Sequence, residues 1–164
     1  MKIKFLSLIV LAAALHAAPT LALSPASGAI SGSPGQTVGW SFSLTNTTDY
    51  MLVNSVQFIP GSTAGTFTDL LSPQGIVIGP LPEVTTLTQV WDGTIGLGSF
   101  VISASAPIGT VLGQVFITYD LFTENPLTSL DPSAAQIGFG IVMPGQNVSI
   151  DITEIGRASC RERV

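Results

Sequence analysis

The sequence predicts an all-β fold, an antiparallel β-sandwich of short strands, and three observations carry that expectation. Gly, Pro, Ser, Thr, Val and Ile are abundant, and only 9% of residues are charged. Gly and Pro break helices, while β-branched residues favour strands. Apolar residues alternate with small polar ones at a period of two in several stretches. Turn clusters such as SPGQ, TNTTD, IPGS, SPQG, WDG, APIG and MPGQ separate those stretches. Many short strands between turn clusters are the pattern of a sandwich. The span shows no extended helical window and no repeat at a fixed period.

In chain order, residues 1–22 read as a secretory signal peptide. Lys2 and Lys4 start it, an apolar stretch runs from Ile3 to Leu15, and small residues follow. The stretch is shorter than the roughly 20 residues that cross a bilayer. Cleavage is expected after Ala22, with Ala17 and Ala18 as alternatives. Residues 23–153 then form one domain, long enough to bury a core. In QTVGWSFSLTN, Val38, Trp40, Phe42 and Leu44 share one face. GSFVISASA places Phe100, Ile102 and Ala104 together. TVLGQVFITYDLF aligns Val111, Gly113, Val115, Ile117, Tyr119 and Leu121. NVSIDI aligns Val148, Ile150 and Ile152. YMLVNSVQFI and QIGFGIV carry apolar residues on both faces and are less regular.

Charge separates the function classes. Between Leu23 and Thr153 there is no Lys, Arg, His or Cys. Eight acids (Asp49, Asp69, Glu83, Asp92, Asp120, Glu124, Asp131 and Asp151) against no base give −8, beyond the −5 of the whole chain. Without His or Cys, neither a Ser-His-Asp nor a Cys-His nucleophile can be built, nor a zinc site of Cys and His. Nucleic acid and phosphate binding rest on Lys and Arg, so no nucleic-acid partner is expected. The remaining chemistries are a carboxylate pair acting on sugars or oxygen ligands for calcium. A non-enzyme without a cofactor is the expectation.

Residues 154–164, EIGRASCRERV, hold the single cysteine and three of the five basic residues. Back-translated, they resemble a short-read sequencing adapter beginning AGATCGGAAGAGC, codon by codon from Ile155 to Val164. They are read as an artefactual tail, with the native chain continuing differently after Thr153. On that reading Cys160 carries no redox meaning.

The stretch PGQTVGWSFSLTNTTD resembles the opening strand of immunoglobulin-like domains in bacterial exported proteins, where a Pro-Gly turn leads into an alternating strand ending in Thr-Asn. GSFVISASAPIGTVLGQVFITYDLF resembles their later strand pair. Residues 23–153 as a whole are similar to exported proteins with a C-terminal Pro-Glu-Pro sorting segment (PEP-CTERM), which an exosortase handles. The resemblance implies an immunoglobulin-like antiparallel β-sandwich, secreted or held at the cell surface. It implies a membrane attachment only through a C-terminal anchor missing from this chain, and it supplies no catalytic residues.

Individual residues suggest three classes of function. The first is a non-catalytic surface or extracellular-matrix protein, with exopolysaccharide or other surface proteins as partners. The second is a carbohydrate- or calcium-binding adhesion module. It would use Trp91 in QVWDGT as a ring platform, and Asp120, Glu124 and Asp131 as metal-binding candidates, though their spacing is not that of an EF-hand loop. The third is an outer-membrane β-barrel, which the Pro content and the lack of aromatic girdles disfavour. Trp40 is expected in the core. Asn46-Thr47-Thr48 and Asn147-Val148-Ser149 match the N-glycosylation pattern.

Overall fold

The computed structural model describes residues 17–60, 63–80 and 82–154. The tail 155–164 and most of the leader lie outside the described residues. Among the described residues twelve strands follow one another: β1 (Thr20–Ser24), β2 (Ala29–Gly32), β3 (Thr37–Gly39), β4 (Ser41–Thr45), β5 (Tyr50–Pro60), β6 (Gly65–Asp69), β7 (Val77–Ile78), β8 (Thr86–Gln89), β9 (Gly98–Ile102), β10 (Gly109–Phe122), β11 (Gln136–Val142) and β12 (Val148–Ile152). Among the described residues, helix is confined to a 3-10 turn at Ser72–Gln74 and one short α1 at Pro132–Ala135. The all-β expectation holds.

The strands make three open sheets. The largest runs β2-β12-β10-β5-β7, with β11 also paired to β10. Two smaller ones run β1-β4-β8 and β3-β9-β6. The inward faces of all three meet in one hydrophobic cluster, which makes the fold sandwich-like. One pairing departs from the antiparallel expectation: β12 and β2 run parallel, from Ser149 beside Ala29 to Ile152 beside Gly32. A parallel pair needs a long crossover, and β2 and β12 stand at opposite ends of the domain sequence.

The segment 37–45 passes from one small sheet to the other. β3 pairs with β9 and β4 with β1 and β8, and the switch falls at Trp40. Its carbonyl accepts from Leu97 N–H. Its indole N–H donates to the Gly28 carbonyl at 2.9 Å, so a fully buried ring keeps no unpaired donor. Phe58 lies 5.5 Å from the Trp40 ring and, edge-on, 5.5 Å from Phe100. These aromatic contacts join β5 of the large sheet to the small ones.

β5 owes its irregular pattern to a bulge. Met51 and Val53 point inward, then Val56 and Phe58 do, with the parity reversed. Val53 pairs with Tyr119 and Ser55 with Thr118, so Asn54 is the extra residue. One inserted residue flips every later side chain to the other face. β10 keeps the predicted alternation, with Val111, Val115, Ile117 and Tyr119 inward. Gly113 takes an inward position because the Phe58 ring occupies the space a side chain there would need. The face predicted for Ala104 is not realised. β9 ends at Ile102, and Ala104 is exposed in a turn closed by Ala106 N–H to the Ser103 carbonyl.

β1 begins at Thr20 and pairs along β4 from Thr45 to Ser41, burying Leu21 and Leu23. The expected boundary after Ala22 therefore divides a strand, whereas cleavage after Ala17 or Ala18 would leave it whole.

Candidate functional site

Trp91 stands just after β8, where Ser41 Oγ accepts its backbone N–H at 2.8 Å. The ring is half-buried. It lies so close over Gly39 that a Cβ there would come within 2.6 Å of ring carbon Cε3, and Gly96 backs the same ring. This packing over glycine backbone leaves only part of the ring to solvent. The adjoining turn is braced by Asp92. Its Oδ1 accepts from Thr94 N–H at 2.8 Å, Thr94 Oγ1 at 2.9 Å and Ile95 N–H at 3.0 Å. These donors, with the Ile95 amide foremost, hold the Asp92 carboxyl below the usual carboxylate range.

The three acids proposed as calcium ligands are not gathered. Asp120 is half-buried on β10, on the outer face of the large sheet beside Phe139 of β11 and Leu52 of β5. Glu124 and Asp131 are exposed and line one shallow depression after β10. Asp131 Oδ1 accepts Ala134 N–H at 3.1 Å and so caps α1. Among the described residues no three acidic, His or Cys side chains are placed to hold one ion.

One acid fixed by several hydrogen bonds is not revealed by spacing. Asp69 Oδ2 accepts Val56 N–H at 2.8 Å, and Oδ1 accepts Leu71 N–H at 2.9 Å and Ser72 N–H at 3.0 Å. Ser72 Oγ donates to the same carboxylate. Val56 follows the β5 bulge, so this carboxylate satisfies a backbone group beside the interrupted ladder. The role is structural.

The two glycosylation patterns differ in access. Asn46 is 2% exposed, and its Nδ2 donates to the Asp49 and Ile78 carbonyls. It is closed to a modifying enzyme in the folded chain. Asn147 is exposed.

A cleft of about 530 Å³ opens between the turn after β9 and the start of β10. Thr63, Ser103, Ser105 and Thr110 give it hydroxyls, Pro107 and Ile108 give it apolar walls, and no charged side chain lines it. Such a cleft can offer hydrogen bonds and contact area. Exposed apolar residues are concentrated elsewhere, along β11 and just beyond it: Ile137, Phe139, Ile141 and Met143.

No protein-family model matches the chain, and no curated protein matches it. Among solved structures, a chain from the crystal structure of a CaDoc0917–CaCohA2 complex at pH 5.5 is similar at 15% identity. The match covers 83% of this chain and 100% of that one, with a TM-score of 0.29.

Proposed function

We propose that this chain is a non-catalytic exported protein of the cell surface or extracellular matrix, built on an immunoglobulin-like sandwich. The observation that carries the reading is the side-chain inventory of residues 23–153. Eight acids stand there with no Lys, Arg, His or Cys. Asp69, Asp92 and Asp131 accept hydrogen bonds from backbone amides of their own turns, and Asp151 accepts one from the Thr110 hydroxyl on the neighbouring strand. Export is supported by the layout of residues 1–22. Attachment through a Pro-Glu-Pro sorting segment rests on the family resemblance. Exopolysaccharide and other surface proteins are the partners this reading expects. A strongly acidic surface repels nucleic acid and anionic lipid headgroups.

The test is to express the chain with its own leader in a Gram-negative host, fractionate the cells and probe the exported form against a polysaccharide array. The reading predicts a processed, exported protein. Retention in the cytoplasm with residues 1–22 intact contradicts it. Selective, calcium-dependent glycan binding lost in Trp91→Ala would replace it with the adhesion-module reading.

A further inference from the structure

β11 is an edge strand of unusual character. Among the described residues it pairs with β10 alone, so its other side presents unpaired backbone N–H and C=O groups. Phe139 and Ile141 lie on the outer face, opposite Asp120 and Thr118. Ile137 sits in the bulge at the start of the strand and Met143 just past its end. Their exposures are 51% for Ile137, 85% for Phe139, 61% for Ile141 and 55% for Met143. No charged residue occurs from Pro132 to Ile150. Edge strands are normally protected by Lys, Pro, charge or a bulge. Of these, β11 has only the bulge at Ile137.

The sequence of the strand is self-complementary. Residues 137–141 read Ile-Gly-Phe-Gly-Ile, the same in both directions. An antiparallel pairing of two copies about Phe139 would set Phe139 against Phe139 and Ile137 against Ile141. On the inner face Gly138 would meet Gly140, so no side chain obstructs the approach at the centre of the pairing. A position-for-position match of this kind is what a two-fold interface requires. Electrostatics permits it too. Asp120 is the acid opposite Phe139 on the neighbouring strand. In such a pair the two Asp120 positions would be three strand spacings apart, roughly 14 Å, well beyond the ~8 Å screening length at physiological salt.

We infer that β11 is a homotypic docking edge, joining two copies of this chain into a two-fold dimer with a continuous sheet. Edge-to-edge pairing covers only the flanks of the outer-face side chains, so the buried area falls well short of the ~800 Å² per partner of a standard interface. The pairing is therefore reversible and depends on concentration.

The test uses the full chain carrying Cys160→Ser. Sedimentation velocity between about 5 and 500 µM, where an interface of this size is expected to assemble, should show monomer giving way to dimer, with added salt favouring dimer. Phe139→Lys and Ile141→Lys should each abolish the dimer. Leu112→Lys, exposed on the same sheet far along β10, should keep it. With the only thiol placed by Phe139→Cys, mild oxidation should give a disulfide-linked dimer, since directly opposed strand residues fall within disulfide reach. Leu112→Cys should not cross-link. Monomer at every concentration, a dimer that survives both Lys variants, or open-ended fibres in place of a dimer would each overturn the inference.

Discussion

The segment around Trp40 and strand β11 are built alike, with apolar residues alternating with small ones, yet they face opposite ways. In segment 37–45 the apolar positions Trp40, Phe42 and Leu44 are at most 2% exposed. In β11 Ile137, Phe139 and Ile141 are exposed, while Gly138, Gly140 and, at the strand's end, Val142 take the inward places. Gly140 is covered there by the end of the Tyr119 side chain, which leaves no room for a Cβ. Alternation fixes which residues share a face. Which face turns inward is decided by what the neighbouring strand already fills. Where β10 presents Tyr119, β11 can bring only glycine.

The sharpest way to break this comparison is truncation of Trp40. Trp40→Ala removes a buried ring and the shorter of the two hydrogen bonds to the Gly28 carbonyl, leaving only the one from Ser149 N–H. It should lower unfolding free energy by about 3–5 kcal/mol in denaturant titration. Phe139→Ala should stay within about 0.5 kcal/mol at concentrations where the protein is monomeric. Comparable losses at the two sites would mean that β11 is covered.

Glycine substitutions sharpen the contrast at a smaller scale. Gly113→Val drives a side chain into the Phe58 ring and should cost about 1–3 kcal/mol by overpacking. Gly138→Ala meets open space and should fall within about 0.5 kcal/mol, as read from the midpoint of thermal unfolding. A costly Gly138→Ala would show that the space inward of Gly138 is filled.

How far the sequence discloses this arrangement depends on the residue. β10 and β12 are legible because their inward residues alternate without interruption, from Val111 to Tyr119 and from Val148 to Ile152. β5 is not, because Asn54 shifts the parity midway and nothing local marks it as a bulge. The sheet switch at Trp40 is hidden for the opposite reason: alternation continues unbroken across it. The acids Asp120, Glu124 and Asp131 look grouped along the chain. However, the long β10 carries Asp120 onto the sheet while the other two stay in the following loop. Asp69 gave no signal in the sequence, since its partners are three backbone amides and a single serine hydroxyl.

Tyr119 supplies a pH test of the same packing. Burial raises its hydroxyl pKa above the ordinary value of 10.0. The folded state then holds its proton where the unfolded state has released it. This contribution to stability is complete below the unfolded pKa and is lost as pH rises through the folded one. Denaturation midpoints should fall above about pH 10, and Tyr119→Phe should lessen that fall. An equal decline in the variant would show that Tyr119 is not held in a buried place.

A smaller effect in the same comparison comes from protease susceptibility. No Lys or Arg occurs between Lys4 and Arg157, so trypsin should release no internal fragment even from the unfolded chain. A broad protease should cut the folded chain first at exposed turns and loops. An early cut inside 37–45 would contradict the burial of that segment.

Thiol labelling in dilute solution tests the opposed facing of the two segments most directly. In the Cys160→Ser chain, Leu44→Cys places a thiol at a position with 0% exposure and Phe139→Cys at one with 85%. The account predicts that Phe139→Cys reacts as fast as in the unfolded chain, while Leu44→Cys reacts only as fast as the protein unfolds. Equal rates at the two positions under native conditions would contradict it.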